Sequence, residues 1–278
     1  MLASAPAHSE IFAGNRALGR IALSVAAAAD GSRRRRVYEA GALRVRFPNV
    51  AGKGALDAVI VNTAGGMTGG DRFDIDIAVE AGARLTVTTA AAEKVYRSLG
   101  PDTRIGIKLD VGQGAALAWL PQETILFDRV RLRRSIDIEA APGARLLLAE
   151  GIVFGRSAMG ETVTQGHCSD HWRVRCGGKL VFAESLRLDG AMAQRLAEHA
   201  VTAGGVAVAS VLKLPGGDSD AAAVRAMASD FAGEVGISAW NGLAVARLVA
   251  PDGAALHHDL IGVLTALSDG PLPRLWLN

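Results

Sequence analysis

The sequence predicts a mainly β protein: a large stacked-sheet or β-solenoid-like body followed by a small C-terminal β-α-β-α portion. The first observation is a recurring unit of an alternating strand, a glycine turn and a more apolar strand, with Gly-Ala pairs that start at 82, 114 and 143. The second is the near-constant step between these pairs, 32 and then 29 residues, which is typical of stacked layers. The third is a change near residue 204, after which strand and helix patterns alternate.

The repeat is compatible with more than one arrangement of layers. We interpret each unit as a hairpin, and a β-solenoid or a large sandwich would both stack such units. An ordinary β-meander would show similar units at less regular steps. The second strand of each unit is apolar on both faces, so we expect it to lie between two layers. A weaker fourth copy is predicted over residues 172–185.

The N-terminal part is predicted as strands. Residues 17–25 and 43–47 have strand patterns, and residues 56–61 lead into a glycine-rich turn. The arginine run from Arg33 to Arg36 could bind phosphate. Such a run is more often a solvated strand end or hairpin rim, and we favour the rim.

The glycine turn is the most unusual stretch of the chain. Four glycines fall within six residues and Asp71 closes the turn; they are Gly65, Gly66, Gly69 and Gly70. Glycine permits positive φ and close approach of other backbone, so this turn needs both. A phosphate cradle is excluded because no Lys-Ser/Thr pair follows the glycines and the next segment, residues 73–79, alternates like a strand.

The C-terminal part is predicted as a β-α-β-α unit. Strands are expected at 206–212 and 243–249, and helices at 221–231 and 254–267. We place a boundary between a layered body at 1–203 and this portion at 204–278, which packs on the body and can count as one domain with it.

Composition narrows the class of protein. The chain has 278 residues with 30 Lys+Arg against 28 Asp+Glu, and a formal charge of +2 does not indicate a nucleic-acid partner. Two cysteines are too few for a disulfide framework and fit a reducing compartment. The first twelve residues lack the basic residues of a signal peptide, and no long apolar run predicts a membrane span. We expect a soluble cytoplasmic protein.

No pattern predicts a catalytic nucleophile with its base. The most metal-like local cluster is His167, Cys168, His171 and Cys176, whose imidazole and thiolate groups suit zinc, nickel or copper. A structural interpretation competes, because Cys176 shares a strand face with Trp172 and fits a core position.

Acidic residues recur at strand ends of the repeat. They are Asp71, Glu93, Glu123, Glu150, Glu161 and Glu184. If the layers stack, equivalent positions approach one another, and a line of carboxylates would form a hydrophilic channel that passes a divalent cation weakly. Capping and salt-bridging carboxylates would explain the same pattern, and from the residues alone we favour that explanation.

Four long motifs, in order, resemble those of the urease accessory protein UreD (also called UreH) family. They are residues 62–71 (NTAGGMTGGD), 88–98 (TTAAAEKVYRS), 119–128 (WLPQETILFD) and 150–161 (EGIVFGRSAMGE), and the Pro-Arg-x-Trp ending at 273–276 is similar too. The resemblance runs from about residue 38 to the C-terminus.

The resemblance implies a non-enzymatic scaffold for urease maturation with a solenoid-like β fold. Members of the family bind apo-urease and recruit UreF and, through it, the GTPase UreG, which delivers nickel. The complex assists carbamylation of an active-site lysine and loading of two nickel ions. A water-filled tunnel has been proposed as the nickel path in this family. The resemblance therefore makes Asp71, Glu93, Glu123 and Glu150 the first candidates for transient nickel contacts, and Glu161 and Glu184 are second-rank candidates. No tightly bound cofactor is expected.

Two other functions stay open at this point. One is a metalloenzyme or metal-binding protein that uses the His/Cys cluster. The other is a plain β-structured adaptor without a metal path.

Overall fold

The computed structural model of the chain describes residues 15–48, 54–156 and 159–277, and strands dominate it. The strands are, in chain order, β1 (Leu18–Ala28), β2 (Gly31–Gly41), β3 (Leu43–Arg46), β4 (Leu56–Asn62), β5 (Arg72–Val79), β6 (Arg84–Thr89), β7 (Glu93–Val95), β8 (Thr103–Val111), β9 (Ala116–Trp119), β10 (Thr124–Leu126), β11 (Val130–Ala140), β12 (Arg145–Arg156), β13 (Glu161–Thr162), β14 (Gly166–Cys176), β15 (Lys179–Gly190), β16 (Ala207–Leu214), β17 (Glu234–Trp240) and β18 (Leu243–Ala250). The helices are α1 (Met192–Ala197), α2 (Asp218–Arg225) and α3 (Gly253–Leu267), with a 3₁₀ turn at Arg274–Trp276.

The strands form two facing sheets. The small sheet has seven strands in the order β15-β14-β11-β8-β5-β1-β2. The large sheet follows the order β17-β18-β16-β12-β9-β6-β4-β3, and the short strands β10 and β13 pair with β12 while β7 pairs with β10. Successive strands alternate between the two sheets, and each coil stacks on the one before it. The chain thereby forms a β-solenoid-like body of about four turns.

Parallel pairing between successive coils explains the sequence repeat. Strands β5, β8, β11 and β14 pair in parallel in the small sheet, and β4, β6, β9 and β12 do so in the large sheet. Leu85, Leu117 and Leu146, each three residues after the start of a Gly-Ala pair, are register partners. The predicted solenoid-like stacking is therefore confirmed, and the repeat length is the length of one coil.

The repeated units are not hairpins, so that interpretation was wrong. β5 and β6 follow one another around a glycine turn but lie in different sheets and pair with other coils. An arch between two sheets and a hairpin share one sequence pattern. They differ in whether the two strands turn their apolar faces toward each other or exchange backbone hydrogen bonds.

The predicted fourth copy is likewise a different structure. Residues 172–185 fall in β14 and β15, which pair antiparallel within the small sheet. This is a true hairpin, and it ends the small sheet because no later strand of the described chain pairs with β15.

The C-terminal portion shares the large sheet, since β16 pairs antiparallel with β12. Its first helix spans Asp218–Arg225 and does not reach residue 231, and a strand that was not predicted, β17, follows it. The order is therefore β-α-β-β-α. The last helix matches its prediction, with the Asp252 carboxylate accepting a hydrogen bond from the amide of Ala255. None of the described helices has the length and hydropathy needed to span a bilayer.

Two apolar layers hold the fold together. The main core fills the space between the sheets, and a second core lies between the large sheet and helices α2 and α3. β12 lies between both cores, and every residue from Leu146 to Gly155 is buried, as predicted for a strand between two layers. The Arg33–Arg36 run lies on β2, an exposed strand at the edge of the small sheet, where the rim was expected.

Candidate functional site

The most unusual feature of the main core is a buried arginine. β11 turns every second side chain inward, and Leu132 and Ile136 are apolar members of that face. Arg134 lies between them and is 4% exposed. A guanidinium in an apolar core is tolerated only when its hydrogen-bonding groups and its charge are compensated.

Two carboxylates from different strands compensate Arg134. Asp170 is its register partner on β14, and its oxygens lie 3.1 Å from Nε and 2.6 Å from Nη2 of Arg134. Glu150 reaches Nη1 from β12 in the facing sheet. Glu150 also accepts a hydrogen bond of 2.8 Å from the indole of Trp119, and Nη1 donates to Thr124 Oγ1 at 3.2 Å.

The charges of this cluster do not cancel. One guanidinium faces two carboxylates, so full ionisation would leave a net negative charge in the core. Burial, with the negative charge of Asp170, raises the pKa of Glu150 from 4.5 to about 7, although Arg134 opposes the shift. Burial acts to lower the pKa of Arg134, but Asp170 and Glu150 outweigh it and hold the guanidinium charged.

A small cavity adjoins the cluster. Its volume is about 20 Å³, enough for a single water molecule or one cation without its hydration shell. Its polar lining consists of Glu150, Asp170, Glu184 and Ser210. Three carboxylates from three strands therefore surround one space between the sheets.

Polar contacts continue from the cavity to the surface. Glu184 Oε1 accepts a 2.6 Å hydrogen bond from Ser210, and Glu184 Oε2 lies 2.6 Å from Nη2 of Arg247, whose side chain is 62% exposed. This series of polar contacts reaches the surface where β15 faces β16 and β18.

Polar side chains also continue from Arg134 on the side away from the cavity. Thr124 is the register partner of Glu93 on β7, and Glu93 shares its strand face with the buried Val95. Burial raises the pKa of Glu93, although the hydrogen bond of 2.9 Å from Asn62 opposes the shift. We use the term polar row for the whole set: Asn62, Glu93, Thr124, Arg134, Glu150, Asp170, Glu184, Ser210 and Arg247.

Three of the six predicted carboxylates, Glu93, Glu150 and Glu184, belong to the polar row. The other three lie elsewhere. Asp71 accepts hydrogen bonds from the amides of Ala17 and Thr68 and so caps the glycine turn.

Glu123 and Glu161 also have partners outside the row. Glu123 lies on the helix side of the large sheet, where its Oε1 is 2.7 Å from Nδ1 of His257. Glu161 pairs with Arg156 near the surface. The structure thus brings three of the six predicted carboxylates together and gives Glu123 and Glu161 partners outside the polar row.

Sequence reasoning missed Arg134 and Asp170, although a signal was present. In both strands the inward positions alternate with polar ones, and each charge interrupts an apolar series. On β14 that series continues through Cys168 and Trp172, both at most 2% exposed. Because Arg134 and Asp170 occupy inward positions of these alternating strands, the pattern alone would have predicted that both side chains are buried.

The His/Cys cluster does not converge. His167 and Cys168 are consecutive on β14, so their side chains leave opposite faces of the sheet. Burial raises the pKa of the Cys168 thiol to about 12, which disfavours the thiolate that binds metals. Within the described ranges, no group of three or more His, Cys, Asp or Glu side chains is arranged to hold a metal ion.

The four motifs that carry the resemblance lie side by side at one corner of successive coils. The glycine turn pairs with β7 through a bridge between Met67 and Val95, and β7, β10 and β12 pair in parallel. Only glycine fits at Gly66, because a Cβ there would overlap the ring of Tyr96. Ser157 and Ala158 of the fourth motif lie outside the described residues.

Aromatic and cationic contacts continue along this corner. The rings of Tyr96 and Phe127 meet edge to face at 4.7 Å, and the guanidinium of Arg156 lies 4.3 Å from the centre of the Phe127 ring. These contacts join three consecutive coils, so the motifs form one continuous strip of the body.

Comparison with known proteins agrees with this arrangement. The model of the UreD urease accessory protein family matches residues 17–277. The chain is 54% identical over 272 residues to the urease accessory protein UreD of Rhodopseudomonas palustris strain HaA2, which covers 98% of this chain and 97% of that protein. It is 53% identical over 270 residues to the UreD of Bradyrhizobium diazoefficiens, covering 97% of each chain. Since the match extends over nearly all of the chain and includes all four stacked motifs, the chain belongs to the UreD family of urease accessory proteins.

Proposed function

We propose that this protein is a non-catalytic scaffold of urease maturation that binds apo-urease together with UreF and, through UreF, UreG. In this proposal it assists nickel insertion by passing the ion along the polar row. Family membership supports the role in urease maturation. The observation that carries the nickel path is the cavity between Glu150, Asp170 and Glu184 inside an otherwise apolar core.

Carboxylates suit transient contacts with nickel. Nickel binds imidazole and thiolate more firmly than it binds isolated carboxylates, so a path lined by carboxylate oxygens can release its cargo. Once Glu150 is deprotonated, Glu150 and Asp170 carry one negative charge more than Arg134 balances, and this favours a divalent cation. Entry of the ion would therefore displace the proton that burial keeps on Glu150 up to a pH of about 7.

Arg134 would act as the barrier along this path. Its guanidinium occupies both Glu150 and Asp170, so a cation gains these oxygens only when the side chain gives up one of them. The remaining ion pair keeps Arg134 compensated during that exchange. Passage is therefore expected to be slow and to depend on motion in the body, and partner binding can supply that motion.

Nickel loading of urease tests the proposal. The chain would be co-expressed with UreF, UreG and the urease subunits, and nickel per urease active site would be measured for Asp170→Asn and Glu184→Gln. We expect each variant to lower nickel content several-fold while the complex still forms on gel filtration. Asp269→Asn is the matched control, because that carboxylate is 59% exposed and pairs with Arg145 at the surface.

Two outcomes would count against parts of the proposal. Normal nickel loading in both variants would leave an adaptor without a metal path. A chain that stays monomeric and does not bind UreF would contradict the scaffold role itself.

A further inference from the structure

Three arginines lie side by side on the outer face of the small sheet. Arg72 of β5, Arg104 of β8 and Arg133 of β11 are register partners, and all three side chains are exposed. Neighbouring strands are about 4.8 Å apart, so the three positive charges repel one another. Arg104, in the middle of the row, forms no ion pair with any residue that the structure describes.

Aspartates compensate only the two outer members of this row. Asp74 Oδ2 lies 2.9 Å from Nε of Arg72. Asp102 pairs with Arg133 and also with Arg131, whose Nε lies 2.8 Å from Asp102 Oδ1. One carboxylate is thus shared between two guanidinium groups, and the row keeps an excess of positive charge.

Two more exposed arginines lie in the loops that lead into these strands. Arg97 precedes β8 and Arg129 precedes β11, and a bridge between Arg97 and Val130 joins the two loops. Within the described ranges, Arg97 forms no ion pair. Nε of Arg129 lies 3.8 Å from Asp128 Oδ2, and Asp128 Oδ1 accepts hydrogen bonds from the amide and the hydroxyl of Thr164. Both loop arginines therefore add positive charge that is weakly compensated.

The backbone of Arg129 is strained. Its φ is 60°, in the left-handed region that residues with a side chain seldom adopt. Its amide donates to the carbonyl of Gln165 at 2.8 Å, and its carbonyl accepts from the amide of Ser98 at 3.0 Å. The fold thus holds a strained residue whose side chain is 73% exposed. Strain of this kind is typical of positions that bind a partner.

An exposed leucine lies in the same loop as Arg97. Leu99 is 82% exposed, which is the highest value among the large apolar side chains of the described residues. The loop around it is ordered by its own contacts, because Ser98 Oγ donates to the carbonyl of Pro101 and accepts from the amide of Gly100. Leu99 therefore presents an apolar side chain at a fixed position beside the arginines.

Together these residues form a surface with a large local charge. We use the term arginine corner for the whole set: Arg72, Asp74, Arg97, Leu99, Asp102, Arg104, Asp128, Arg129, Arg131 and Arg133. Its six arginines exceed its three aspartates by three positive charges, whereas the whole chain has a formal charge of only +2. Arg16 and Asp71 adjoin the corner at the glycine turn, and their opposite charges leave the excess unchanged. Such a surface attracts an anionic partner.

We propose that the arginine corner is a docking site for an acidic segment of another protein. Carboxylates of the segment pair with Arg97, Arg104 and Arg129, and apolar side chains between them cover Leu99. Docking supplies the negative charge that the row of arginines lacks. It rests on the charges and exposed groups of this corner alone, so it can be tested without urease or nickel.

A protein segment fits the corner better than a nucleic acid does. Asp74 and Asp102 lie among the arginines and would repel a continuous row of phosphates. A peptide can place its carboxylates next to the guanidinium groups and leave uncharged residues next to the two aspartates. It can also cover the apolar surface of Leu99, which a phosphate backbone cannot.

An acidic peptide tests the proposal on the full chain. The probe alternates Glu and Leu over about nine residues, long enough to reach across the three strands of the row, and a Gln/Leu peptide of equal length is its control. We expect only the Glu/Leu peptide to bind by fluorescence anisotropy and to slow hydrogen exchange of amides in residues 97–102. Equal binding of both peptides, or no binding of the Glu/Leu peptide, would overturn the proposal.

Two substitutions at the corner separate binding from folding. Arg104→Gln removes a charge that has no ion pair, and Arg129→Gly removes a charge together with backbone strain, so neither should lower the thermal midpoint. Each should weaken binding of the Glu/Leu peptide about threefold, and the double variant should weaken it about tenfold. Arg36→Gln is the control, because Arg36 is an exposed arginine on the edge strand β2 and should be dispensable for binding.

Other outcomes would refute the assignment. Unchanged binding in the double variant, or loss of binding in Arg36→Gln alone, would place the peptide away from the corner. Self-association on gel filtration that the double variant abolishes would make a second copy of this chain the occupant. Equally tight binding of a single-stranded DNA oligonucleotide or of phosphatidylserine vesicles, lost in the double variant, would assign the corner to a nucleic acid or a membrane.

Discussion

Arg134 and Asp170 are register partners on the neighbouring parallel strands β11 and β14, and their side chains form a two-point ion pair inside the main core. The pair joins two consecutive coils, and Glu150 extends it to the facing sheet. A charge cluster of this kind is costly to bury and works only in one register. It therefore ties the coils and sheets into one alignment as well as lining the cavity.

Replacing the buried Arg134 should destabilise the fold far more than replacing the exposed Arg133 next to it. Arg134→Met leaves Glu150 and Asp170 buried without a cation and should lower the free energy of unfolding by about 3–5 kcal/mol. Arg133→Met is the matched control on the same strand, because its side chain is 57% exposed, and we expect a change of at most about 1 kcal/mol. Urea denaturation of both variants measures the difference, and similar losses would contradict the importance of the buried cluster.

The raised pKa of Glu150 predicts a specific pH dependence of stability. A carboxyl whose folded-state pKa lies above its unfolded value favours folding at low pH, and that stabilisation is lost as pH rises through the folded pKa. With pKa values of 4.5 and about 7, Glu150 should remove up to about 3 kcal/mol from the free energy of unfolding over this interval.

Glu150→Gln checks this prediction. The variant should lose the contribution of Glu150 to the slope of unfolding free energy against pH, measured by urea denaturation at several pH values from about 4 to 8. The two slopes should differ most between pH 4.5 and 7. Parallel curves for wild type and variant would show that Glu150 does not titrate there.

The glycine turn should tolerate no side chain where other backbone approaches it. A Cβ at Gly69 would overlap the side chain of Ser98 and the carbonyl of Pro101, so Gly69→Ala should cost about 1–3 kcal/mol of stability. Gly100→Ala is the control, because a Cβ there meets open space. Thermal denaturation compares the two, and equal midpoints would show that the turn adapts without cost.

The C-terminal segment should depend on one tryptophan. Trp276 is buried, stacks on His257 at 5.3 Å and donates to the carbonyl of Leu120 at 3.0 Å. Trp276→Ala should lower stability by about 3–5 kcal/mol and speed proteolysis after residue 270. The adjacent Leu277→Ala is the control, since Leu277 is exposed. Equal proteolysis rates in the two variants would refute an anchoring role.

Much of the fold could be predicted because it is repetitive. Stacked coils must have nearly equal lengths to keep their strands in register, so the steps between Gly-Ala pairs appear directly in the sequence, and Leu85, Leu117 and Leu146 stack as those steps require. Alternation of apolar residues likewise identified individual strands and the last helix. These are local or periodic properties, and local chemistry is sufficient to specify them.

All six carboxylates were predicted for one site, but three of them lie elsewhere in the structure. Two main residues of the site, Arg134 and Asp170, were missed. The strand pattern tells which side chains share a face of a strand, but an arch and a hairpin have the same pattern and direct those faces toward different neighbours. Asp71 and Glu123 thus meet a turn and a helix, while Arg134 meets Glu150 and Asp170.

The sequence by itself determined the coil length, the β class and the family of this protein, because each depends on residues close together or at a regular spacing. Only the tertiary structure decided which charges share the core. That decision depends on how two sheets face each other, and the contacts between them join residues whose separation along the chain follows no local rule.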